Sequence, residues 1–67
     1  MNMRYEPPIR KGEELKVKIE NLGTKQDGIV RINKFILIVK QPVMVGFTYK
    51  IRVTKSGEKY AFGEVIR

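Results

Sequence analysis

Arg31, Lys34, Lys50 and Arg52 are cations interspersed with the aromatics Phe35, Phe47 and Phe62. A guanidinium or ammonium group pairs with phosphate, and an aromatic ring offers a flat surface on which a base stacks for roughly 1–3 kcal/mol. Stacking needs no base identity, so the combination suits single-stranded nucleic acid held with weak sequence preference. The charge lies where that chemistry needs it. The 67-residue chain has a formal net charge of +7 and no acidic residue from Gly28 to Gly57. The same window carries Lys40 and Lys55. A merely solvated face would also be charged, but an unbroken one-sign window in so small a domain favours a polyanion site.

Other chemistries have little to work with. The chain has neither histidine nor cysteine, which removes the commonest general base, the commonest metal ligands and any disulfide. Beyond the amino-terminal arm the acids are Glu13, Glu14, Glu20, Asp27, Glu58 and Glu64, and none has a His or Cys to work with. There is no Gly-Lys phosphate-binding loop for ATP. The expectation is a non-enzymatic protein with no cofactor, no metal site and no small-molecule substrate. No apolar run approaches the roughly 20 residues that span a bilayer, and "MNMRYEPPIRKGEE" has no apolar core of signal-peptide type. A cytoplasmic monomer without membrane contact is expected.

The elements that must position these residues read as strands. Residues 1–12 form a basic arm with Arg4, Arg10 and Lys11, held extended by Pro7 and Pro8. In "ELKVKIENLG", Leu15, Val17 and Ile19 alternate with Lys16, Lys18 and Glu20, as in a half-buried strand. Asp27-Gly28 marks a turn. "IVRIN" and "KFILIV" form a hairpin about Asn33-Lys34, since Asn tolerates the positive φ of a tight turn. Pro42 and Gly46 bracket a loop, "YKIRVTK" alternates again, "SGE" turns, and "KYAFGEVIR" is the last strand. Five short strands without a helical period predict an all-β fold over residues 13–67. Closing them into a small five-stranded OB-like or SH3-like antiparallel barrel removes the exposed edges.

Period 2 assigns faces. Arg31 points away from Val30 and Ile32, and Lys34 sits at the hairpin tip. Lys50 and Arg52 occupy the outer face of their strand, with Tyr49, Ile51 and Val53 inside. In the last strand Ala61, Gly63 and Val65 are small enough to point into a narrow barrel, leaving Tyr60, Phe62 and Glu64 outside. The strand 35–39 is apolar on both faces. Phe35, close to Arg31 and Lys34, is the candidate for a surface role there. Phe47, beside Gly46 in a loop, is expected to be exposed. A one-residue slip of register would reverse Phe35 and Phe62.

"GTKQDGIVRINKFILIV", a loop, and then "VGFTYKIRVTKSGEKYAFGEV" together resemble the TRAM domain over about residues 13–66. The shared features are the Gly-Ile-x-Arg turn and strand, the apolar second strand, the Val-Gly entry to the next strand and the closing Ala-Phe-Gly-Glu-Val. The resemblance implies a five-stranded OB-like barrel that binds RNA, of the kind appended to transfer-RNA-modifying enzymes. It also implies kinship with small stand-alone archaeal versions that act as cold-shock-like RNA chaperones. By motif position, Arg31, Phe35, Arg52, Lys59 and Phe62 correspond to its RNA-facing residues. Ile38 stands where the family often has an aromatic, Lys40 and Gln41 where a proline leads the loop, Phe47 where an acid is common, and Gln26 where glycine is frequent.

The expected function is therefore low-specificity binding of single-stranded or partly unfolded RNA. Phe35, Phe47 and Phe62 would stack bases, and Arg31, Lys34, Lys50, Arg52 and Lys59 would contact phosphates. Two alternatives are a binder of structured transfer or ribosomal RNA that assists a modifying enzyme, and a small-barrel module for acidic protein partners.

Overall fold

The computed structural model describes residues 9–32 and 34–66; the arm through Pro8, Asn33 of the turn and Arg67 lie outside the described residues. Six strands follow one another: β1 (Glu14–Lys18), β2 (Asn21–Leu22), β3 (Gly28–Ile32), β4 (Phe35–Val39), β5 (Thr48–Ser56) and β6 (Tyr60–Val65). They form one sheet in the order β1-β5-β6-β4-β3-β2. Every pairing is antiparallel except β4–β6, which is parallel.

The expected first strand is divided into β1 and β2, and the division closes the sheet. Ile19 exchanges backbone hydrogen bonds with the loop that leads into β5: its N–H donates to the Phe47 carbonyl (2.9 Å), and its carbonyl accepts from Gly46 N–H (2.8 Å). One residue later, Glu20 N–H donates instead to the Ile29 carbonyl on β3 (3.2 Å). The two edges of the sheet are thus halves of one segment that changes partner, and the sheet curls into a small barrel. Gly46 makes its bond at φ +89°, a region that glycine enters without steric cost.

Alternation fills the interior. Val17, Ile19, Val30, Leu37, Val39, Ile51, Val53 and Ala61 are buried, with Ile9 and Val43 packing in from outside the strands. Gly28 is where the barrel wall is tightest. A Cβ there would lie 2.8 Å from Val43 Cγ2 and 2.9 Å from Ile19 Cδ1.

The end of the expected arm belongs to the barrel. Ile9 is buried in the core, and its carbonyl accepts from Ser56 Oγ at 2.6 Å. Gly12 N–H donates to the Val53 carbonyl (2.7 Å), and Val53 N–H donates to that of Glu13 (2.8 Å). Residues 9–13 therefore pack with the barrel, because an isoleucine followed by a chain turn can plug it without being a strand.

Candidate nucleic-acid interface

β6 lies between β4 and β5, so its outward residues face neighbours on both sides. Residues directly opposite in a sheet share a face. On the outer face the register gives the rows Arg31–Ile36–Tyr60 and Ile29–Ile38–Phe62. Tyr60 is 53 % and Phe62 43 % exposed. They are two residues apart on one strand, about 7 Å along it. At the Tyr60 end, Ile36 N–H donates to the Lys59 carbonyl (3.0 Å). Lys34, exposed at the hairpin tip, precedes the same end of β4. Arg31, Lys34, Lys59 and Tyr60 are thereby brought together.

On the other flank the register sets Arg52 opposite Glu64 and Lys55 opposite Phe62, with a shift between Val53 and Lys55. Thr54 Oγ1 donates to the Phe62 carbonyl at 3.2 Å. β1 then sets Glu14 opposite Arg52, Lys16 opposite Lys50 and Lys18 opposite Thr48. Lys50 and Arg52 do point outward, but Glu14 engages both. Its Oε2 accepts from Arg52 Nη2 at 2.9 Å, and its Oε1 is 3.7 Å from Lys50 Nζ. The hydrogen bond from Arg52, reinforced by the charges of Arg52 and Lys50, holds the Glu14 carboxyl below the ordinary carboxylate value.

Phe35 requires correction as a surface aromatic. It is 3 % exposed and packs in the core with Leu37 and Val39. Its position is opposite Ile32, one place out of phase with Arg31 and Ile36, so the outer face at that end carries Ile36 instead. Phe47 is 54 % exposed, but it lies in the loop before β5. Its ring is stacked on Tyr49 with centroids 6.5 Å apart, beside the exposed Met44 and Val45, and it is not in the β6 rows. Tyr49 is half-buried against the core, and its hydroxyl accepts from Met44 N–H at 2.9 Å.

The structure adds Tyr60, Lys16 and Lys18 to the outer face. Strand alternation points all three outward. It also shows an open groove of about 440 Å³, lined by Asp27, Ile38, Lys40, Thr54, Phe62 and Glu64 among others. Gln41 N–H donates to Asp27 Oδ1 (3.0 Å) on its rim. The groove depends on the parallel β4–β6 pairing, which no local sequence signal reports.

These features define a small OB-like barrel with a basic, aromatic outer face. The chain belongs to the TRAM domain family, which matches residues 8–66. The TRAM domain is an RNA-binding domain. The chain is 41 % identical over 58 residues to the ribosomal RNA large subunit methyltransferase E of Methanosarcina barkeri. It is 40 % identical over 60 residues to the translation initiation factor 2 subunit beta of Methanocorpusculum labreanum. Those matches cover 87 % and 90 % of this chain but only 22 % and 29 % of the relatives' lengths. An uncharacterised protein of Methanocaldococcus jannaschii is 34 % identical over 64 residues, covering 96 % of this chain and 82 % of its own. The solution structure of a conserved protein of Methanococcus maripaludis superposes with a TM-score of 0.82 at 35 % identity, covering 92 % of this chain and 87 % of the other. Among the described residues no helix is long and apolar enough to cross a membrane.

Proposed function

We propose that this chain binds unpaired RNA across the outer face of β6 and works in the cytoplasm as a low-specificity RNA chaperone. The observation that carries this reading is the exposure of Tyr60 and Phe62 on one face, with Arg31, Lys34 and Lys59 gathered at one end. Large aromatic rings left in water lose the free energy of burial unless a partner covers them. Bases would stack on these two rings while the cations meet phosphates. Lys16, Lys18 and Lys50 extend the positive face across β1 and β5. Arg52, held by Glu14, contributes less than its exposure suggests. Stacking on exposed rings requires unpaired bases, so the protein would bind melted RNA better than duplex. That differential affinity shifts RNA toward the open form without ATP.

The direct test is a hairpin RNA carrying a fluorophore and quencher at its ends. Substoichiometric RNA with rising protein should open the hairpin, and Phe62→Ala should weaken the opening. Protein that binds the hairpin without opening it would overturn the chaperone reading. A second reading, a helper bound to folded ribosomal RNA, is favoured by the methyltransferase relatives whose names specify that substrate. It requires preference for the folded RNA in competition.

A further inference from the structure

We propose that the groove beside Phe62 is a base-reading subsite that selects guanine, an inference that rests on the RNA-binding reading above. The groove does not resemble the rest of the surface. In a chain of net charge +7 its charged lining residues are Asp27, Lys40 and Glu64, so two carboxylates face one ammonium. Carboxylates repel phosphate, so the sugar-phosphate backbone runs outside the groove, toward the cations at the Tyr60 end. What carboxylates accept is N–H donors.

The apolar part of the groove comes from Ile38 and Phe62, which are opposite one another in the β4–β6 register. A base stacked on Phe62 has its edges directed at the neighbouring side chains. Glu64 is two residues further along the same face of β6, is exposed, and forms no ion pair among the described residues. Asp27 is half-buried and steadied by the Gln41 N–H, which occupies one side of its carboxylate. Unpaired bases are commonly read on the Watson–Crick edge while stacked on an aromatic ring. Guanine alone presents two adjacent donors there, N1–H and the N2 amine, which match the two oxygens of one carboxylate. Uracil offers a single N–H between two carbonyls, and adenine and cytosine each place a ring acceptor beside the amine. Paired charge-assisted hydrogen bonds of this kind are the strong ones. The volume, about 440 Å³, falls in the range of small-molecule sites and admits one nucleoside.

The test is competition anisotropy with the whole chain, using a hexamer of uridine and the same hexamer with one central guanosine, adenosine or cytidine. The guanosine oligomer should bind on the order of tenfold more tightly than the others. Glu64→Gln should erase most of that preference while leaving the uridine hexamer bound as well or better, since a negative charge has been removed. Asp27→Asn serves as the second variant, and circular dichroism checks that both fold. Equal binding of all four oligomers would overturn the guanine subsite and leave RNA binding intact. A guanine preference that survives in both variants would overturn the assignment to this groove. Failure to bind any oligomer would overturn the RNA-binding reading itself.

Discussion

Lys16 and Lys50 sit directly opposite one another across β1 and β5, both exposed on the outer face. Like charges so placed destabilise a sheet. Glu14 relieves Lys50 in part, from 3.7 Å, but it lies one outward position along from Lys16. A cost to the free protein is thus placed where a polyanion would remove it. Lys16→Ala should raise the thermal midpoint slightly and lower RNA affinity across all sequences. It should also reduce the magnitude of the salt slope by about 0.7. Thermal melts and binding isotherms at several salt concentrations check both directions.

Phe35 and Phe62 should respond oppositely. Phe62→Ala removes an exposed ring, so RNA affinity should fall by about 1–3 kcal/mol with little change in melting. Phe35→Ala empties a core position and should cost about 3–5 kcal/mol of stability. Chemical denaturation paired with binding at a temperature where both variants are folded separates the two effects.

Glu14 ties the edge strand to Arg52, and its folded-state pKa is lowered by that contact. A carboxyl with a lowered folded pKa stabilises the fold above its ordinary pKa and loses that contribution as pH falls through the lowered value. Glu14→Gln should therefore be less stable than the parent at neutral pH, and the difference should vanish in acid below the carboxylate range. The same variant releases Arg52 and Lys50, so its RNA affinity should rise a few-fold. Urea midpoints across pH, with binding at neutral pH, check both.

Gln26 in the turn before β3 and Gly28 at the start of β3 should change stability without changing binding. Gln26 adopts φ 72°, in a turn closed by Gly23 N–H to the Asp27 carbonyl (2.8 Å). That conformation costs a side-chain-bearing residue about 1–2 kcal/mol, so Gln26→Gly should stabilise by up to about 1 kcal/mol after the entropy cost of glycine. Gly28→Ala should destabilise by about 1–3 kcal/mol, since Val43 and Ile19 are buried and must move. Differential scanning calorimetry reads both.

Much of the barrel was legible because each strand but one has a polar face. Lys16 and Lys18 oriented β1, Lys50 and Arg52 oriented β5, and the small residues Ala61 and Gly63 oriented β6. β4 is apolar on both faces, so alternation alone could not orient it, and the wrong face was assigned to the surface. The information was nevertheless in the chain. Two residues between Ile32 and Phe35 set Arg31 opposite Ile36, and an outward Arg31 then forces Ile36 out and Phe35 in. The groove was not legible. It joins the turn before β3, the end of β4 and the middle of β6, and only the long-range parallel pairing brings them together. Ile9 was missed because a plug outside any strand has no period to betray it.

The central claim is that the basic, aromatic face holds unpaired RNA. The most direct measurement is fluorescence anisotropy of a labelled unstructured RNA and a matched hairpin over a range of salt. Four to six phosphate contacts should give a log–log slope of roughly −3 to −4, with the unstructured strand bound more tightly at every salt concentration. A flat salt dependence, or tighter binding of the hairpin, would contradict the account.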